Sequence, residues 1–211
     1  MKTYEVIEHF LAKKESKLTQ EEILLIKEHF WLKALWFKDN ADDINIENFD
    51  QIDRINPHAT LEYVCRTLKI LESEKKNLNK TEFHILYQVL CYCEVAKGGT
   101  AAMKKEWRKN YFLLSVHNIG SSQIYASLME NKMDDKTLNY ITILIATHGL
   151  IGQYLRGETA LKSSEKLIGL SLPDVDHEKV VKILNKCIIA GVSEELYERL
   201  KDDVNSTIEE L

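Results

Sequence analysis

The chain has 211 residues, 45% of them hydrophobic and 29% charged, with only 2 prolines and 8 glycines. That suffices for one sizeable core and is too little turn punctuation for a many-turned β protein. A formal net charge of −5 opposes non-specific nucleic-acid binding, and no apolar run approaches the roughly 20 residues that span a bilayer.

In chain order, a first helix is expected over 3–14. Its stretch MKTYEVIEHFLAKKESK alternates charged and apolar residues and is unlike a signal peptide. Thr19 and Glu22 fit a capping box that opens a second helix. Ile23, Ile26, Phe30 and Ala34 form its stripe, which Leu24, Trp31 and Leu35 widen, and the aromatics Phe30, Trp31, Trp36 and Phe37 read as core. Residues 39–53 carry six acidic side chains and no basic one. As a calcium loop from Asp43 they fail, with Asn48 where Gly is needed and Arg54 where Glu is needed. The expected organisation is an N-terminal helical pair over 1–38, an acidic connection over 39–55 and a main helical domain over 56–211.

Asn56-Pro57 opens a helix to about Glu74. Asn79, with Glu82 three residues on, opens another that Gly98-Gly99 closes. Thr100 caps a helix carrying the basic patch Lys104, Lys105, Arg108 and Lys109, which reads as a solvated face rather than a nucleic-acid contact. That helix is expected to break at Gly120 in LLSVHNIG, with Ser121 or Ser122 starting a short one to about Asn131. Asp134 caps a helix through LNYITILIATHG to Gly149, extending toward Arg156, and a further helix covers about 159–169. Pro173 and Asp176 introduce VVKILNKCIIAG, closed by Gly191, and Ser193 caps the last helix. The expectation is an all-α bundle of about ten helices without strands.

The four cysteines, Cys65, Cys91, Cys93 and Cys187, form no C-x-x-C pair and sit among apolar residues. They read as small buried hydrophobes in a reducing cytoplasm. Two-residue spacing puts Cys91 and Cys93 on different helix faces, a poor arrangement for sharing a metal. His9, His29, His58 and His177 read as surface or packing residues. No serine or cysteine nucleophile motif occurs.

His84, His117 and His148 stand 33 and 31 residues apart, each gap long enough for one helix out and one back. Packed helices could bring three imidazoles to one Zn, Fe, Mn or Ni ion, with a carboxylate to complete the shell. The layout over 80–150 resembles the HD-domain superfamily of helical metal-dependent phosphohydrolases. His84 matches the family's first His, His117-Asn118-Ile119-Gly120 its His-Asp-Ile-Gly stretch, and His148 a later, optional His. The resemblance implies a divalent metal held by His84, His117, Asn118 and His148. Asn118 departs from the family's Asp, which offers a negative charge where Asn offers a neutral carbonyl oxygen. The family's final Asp has no assigned match, with Asp174 and Asp176 as candidates. The other reading of His117-Asn118 is a helix C-terminus, with Ile119 plugging the core.

The stretch THGLIGQYLRGET, 147–159, sets three glycines among His148, Gln153, Arg156 and Glu158. Arg156 could fork onto a phosphate or carboxylate, with Gln153 and Glu158 as neighbouring catalytic or ligand contacts. No Gly-Lys-Ser/Thr of a P-loop is present, and an irregular helix junction held by an Arg–Glu pair is the other reading. The expected function is an HD-like, degenerate phosphohydrolase acting on a phosphate ester or nucleotide with Mn, Fe or Zn. The alternative is a non-enzymatic helical interaction or regulatory module, with a protein partner or a second copy of the chain on its acidic, basic or C-terminal helical surfaces.

Overall fold

The structure, a computed structural model, describes residues 2–12, 19–21, 24, 58–98, 116–157 and 170–210. Most of the second expected helix, the acidic stretch 39–55, the basic patch and the expected helix at 159–169 lie outside the described residues. Within them the fold is all helical, with seven α-helices of ten residues or more and one of six, and no strand. The described residues therefore fall short of the ten expected. None of these helices is long and apolar enough to cross a membrane.

Helix α1 (Thr3–Ala12) buries Val6, Ile7 and Phe10, spaced to share one face, against α2 (His58–Glu74). Helix α3 (Lys80–Tyr92) starts as its sequence predicts: Asn79 and Glu82 form a reciprocal capping box. Glu82 goes further than a cap. Its fully buried carboxylate also accepts the Asp176 amide at 3.1 Å and pairs with Lys179 Nζ at 2.7 Å. One side chain thus joins the start of α3 to the start of α7 (His177–Val192).

Helix α3 ends at Tyr92, six residues before the expected glycine stop. Cys93 and Glu94 form a turn, and a short 3-10 segment, Val95–Gly98, follows. Helix α4 (Val116–Met129) also departs from expectation, because Gly120 lies inside it. Gly120, Ser121 and Ser122 are buried, and Ser121 Oγ accepts the Ala96 amide at 3.1 Å. These small residues let the 95–98 segment lie close against α4, so GSS is a packing surface and not a stop.

Asp134 caps α5 (Asp135–Thr147) by accepting from the Thr137 amide. The expected continuation is broken at His148, whose ψ of 139° turns its carbonyl out of the helix. Gly149 follows at φ +75°, a left-handed conformation that suits glycine. The chain then enters the six-residue α6 (Leu150–Leu155).

The central helix is α7, which packs on α2, α3, α6 and α8 (Glu194–Glu209). Its nine buried residues from Val180 to Gly191 apart from Asn185 include Val181, Leu184, Cys187 and Ile188. Gly191 is helical and does not close the helix. A Cβ there would stand 2.6 Å from Thr67 Cγ2, so its hydrogen allows α7 to cross α2 closely. Ser193 caps α8 as its sequence predicts. All four cysteines are buried and outside any disulfide, and burial raises the thiols of Cys65 and Cys187 and pushes Cys91 up to about 12.

Candidate metal centre

Five pieces of chain meet at one cleft of about 200 Å³. They are α2 at Tyr63, the turn at Glu94, α4 at His117 and Asn118, the α5–α6 junction, and the adjoining ends of α7 and α8. Glu94, His117, Asn118, His148, Gln153 and Arg156 make the polar wall. Tyr63, Ile188, Ile189, Val192 and Leu196 complete the lining.

Glu94 is the centre of the polar wall. Only 3% of it is exposed, and a carboxylate so buried requires compensation by positive charge or hydrogen bonds. Its Oε1 lies 3.4 Å from His148 Nε2 and its Oε2 3.9 Å from His117 Nε2. The two imidazole rings stand edge to face, 5.5 Å apart. His148 is the more constrained ring. Its Nδ1 lies 2.6 Å from the Ile145 carbonyl, an acceptor only, so Nδ1 carries the hydrogen. In the neutral ring Nε2 therefore presents a lone pair toward the Glu94 carboxylate. Two lone pairs at 3.4 Å call for a proton or a cation between them.

Asn118 contributes an unsatisfied oxygen. Its Nδ2 donates to the His148 carbonyl at 2.9 Å. Its Oδ1 has no hydrogen-bond partner, although the residue is only 1% exposed. Behind Glu94, Cys93 completes a buried trio: one ligand atom each from Cys93, Glu94 and His148 lie within 4.8 Å of one another. This trio could hold a metal ion. The observed Nε2–Oε1 distance suits such use, since imidazole nitrogen and carboxylate oxygen bound tetrahedrally at about 2.0–2.2 Å lie roughly 3.3–3.5 Å apart. Burial first, then the neighbouring Cys93 and Glu94, hold the Tyr63 phenol well above its ordinary range. It stays protonated and donates to the Ile188 carbonyl at 3.4 Å.

Of the residues expected to form the site, His117, Asn118, His148, Gln153 and Arg156 do meet. His84 does not: it is exposed on α3, whose buried face is made by Glu82, Ile85, Leu86, Val89 and Leu90. Glu158 lies outside the described residues. Neither Asp174 nor Asp176 lines the cleft: both are exposed before α7, where Asp176 caps the Lys179 amide. The reading of His117-Asn118 as a helix C-terminus is also corrected, because α4 continues beyond both to Met129.

Glu94 and Cys93 are the residues that sequence reasoning missed. The available signal was a single carboxylate inside the apolar stretch VLCYCEVA, which must find compensation if that stretch is buried. No family model, curated protein or solved structure matches the chain.

Proposed function

We propose that the chain is a metal-dependent hydrolase of a phosphate ester on an HD-like helical scaffold, with Glu94 as its charged metal ligand. The observation that supports this most is the buried Glu94 carboxylate between His117 and His148, with His148 Nε2 turned toward it. Glu94 and His148 would hold the ion, with His117 Nε2 and Asn118 Oδ1 as neighbours. A divalent Mn, Fe or Zn ion supplies a Lewis acid for the phosphoryl group and an activated water.

The chain's own residues do the remaining work. Ile145 fixes the His148 tautomer through Nδ1. Arg156 binds the phosphate and offsets the charge that develops on its oxygens, and the Gln153 amide orients it. Ile188, Ile189 and Leu196 keep bulk water from the cleft. The half-buried His117 gives its proton to the leaving alkoxide as the water oxygen bonds to phosphorus and the ester P–O bond breaks, and the proton that the water sheds passes to solvent and restores His117.

The test is phosphate release by the full chain, stripped with chelator and resupplied with Mn²⁺, Fe²⁺ or Zn²⁺. Substrates are p-nitrophenyl phosphate and a panel of sugar and nucleoside monophosphates. Release should require metal and fall about 100-fold or more in Glu94→Gln and His148→Ala. His84→Ala should leave it unchanged. No release with any metal, or full release by Glu94→Gln, would reject the proposal. A non-enzymatic helical module has one observation in its favour, the 64% exposure of Val192 at the cleft rim. It gains if no substrate turns over and the chain sediments as a dimer that Val192→Glu dissociates.

A further inference from the structure

We infer that Cys93 is a thiolate ligand of this same ion, which makes the centre one for a thiophilic cation of the zinc class. The inference rests on the metal centre proposed above and deepens it: zinc, cobalt or ferrous iron would be held, in preference to magnesium, calcium or manganese.

Position comes first. Cys93 closes α3 and Glu94 follows it in the turn, so adjacent residues deliver a sulfur and a carboxylate to one place. Their ligand atoms and that of His148 lie within 4.8 Å of one another. Among the described residues, Cys93 is the one cysteine in such a group; Cys65, Cys91 and Cys187 belong to none.

Charge gives a second argument. Cys93, Glu94, Asn118 and His148 are all buried, and an uncompensated charge in such surroundings is costly. A dication facing Glu94 as its one anionic ligand would leave a net positive centre. Adding the Cys93 thiolate makes the centre neutral. Asn118, which lines the same cleft, is neutral and cannot supply that second charge. The set is then sulfur, nitrogen and one carboxylate oxygen, three protein ligands that leave zinc's fourth position to the water. Magnesium and calcium require six or more oxygen ligands. As sulfur bonds to the ion, the thiol proton leaves to solvent, and nothing is oxidised or reduced.

Cobalt(II) is the probe. Full-length chain, chelator-stripped and kept reduced under argon, is titrated with Co²⁺ and followed by absorption. The expected result is saturation at one ion per chain with an intense near-ultraviolet thiolate-to-cobalt band, which Zn²⁺ displaces. Cys93→Ser should lose that band and bind Co²⁺ about 10- to 100-fold more weakly. Saturable visible bands without the near-ultraviolet band, identical in Cys93→Ser, would overturn the inference and leave the hydrolase proposal standing. Failure to bind either Co²⁺ or Zn²⁺ would overturn both. Zinc K-edge absorption on the unsubstituted chain gives an answer that does not depend on a variant folding. One sulfur at about 2.3 Å supports Cys93, and a shell of nitrogen and oxygen alone at about 2.0–2.2 Å overturns it.

Discussion

Asn118 holds the cleft together through an asymmetric amide. The nitrogen satisfies the His148 carbonyl, which the α5–α6 break leaves outside any helix, while the oxygen faces the site without a partner. Asn118→Asp keeps the shape and replaces the donor with an acceptor. In the metal-free chain it should cost about 1–3 kcal/mol, since a buried carbonyl loses its donor and a second carboxylate joins Glu94. Zn²⁺ should narrow that gap by neutralising the added charge. Urea denaturation at pH 7, with chelator and then with Zn²⁺, measures both; a variant as stable as the parent in chelator would show that the amide bond contributes nothing. His117 and His148 were legible from the sequence by their 31-residue spacing, although the same reasoning added His84, and His117 lies inside α4 while His148 follows the end of α5. Glu94 was not, because nothing local distinguishes a carboxylate folded inward by a turn from one left on a helix surface.

Two contacts set how the elements meet. Gly191 lets α7 cross α2 at a separation that admits no Cβ. Alanine would gain about 1 kcal/mol of helix propensity. Its methyl would collide with Thr67, which is buried, β-branched and tied to the Val64 carbonyl. Overpacking of that kind costs about 1–3 kcal/mol, so Gly191→Ala should be a net loss in urea denaturation. Glu82 links α3 to α7. Burial alone would raise its carboxyl, but Lys179 and the amides of Asn79 and Asp176 stabilise the charge more, and its pKa falls below the ordinary 4.5. A lowered folded-state value adds stability above the unfolded-state pKa and loses it as pH drops through the folded one. The stability of the parent over Glu82→Gln should therefore be largest above pH 4.5 and shrink below it, read by urea titrations between pH 7 and 3. The capping box was readable at Asn79 and Glu82, whereas the bond from Asp176, 94 residues away, was not. Glycines misled at the same scale: Gly120 and Gly191 were expected to end helices and instead lie within them, and at Gly191 the neighbouring helix presses too close for a side chain.

At the scale of the molecule, the proposed centre connects segments that are distant in the chain. An ion held by Glu94, His148 and their neighbours would bind the folded state alone. At a free concentration 100 times its dissociation constant it adds about 2.7 kcal/mol, which for a chain of this size raises Tm by roughly 5–10 °C. Differential scanning calorimetry with Zn²⁺ should show this shift in the parent and not in Glu94→Gln; an unchanged Tm in the parent would remove the centre. The helical character, the Asn79, Asp134, Asp176 and Ser193 starts and the burial of the cysteines came from the sequence by itself. Each depends on side chains within a few residues of one another, or on apolar periodicity along a single helix. Tertiary structure decided the rest: that His148 faces Glu94, that His84 stands on the outer face of α3, and that Cys93 lies beside a carboxylate and an imidazole. Those outcomes turn on where α3 stops and how closely α4 and α7 approach their neighbours, and packing between distant segments sets both.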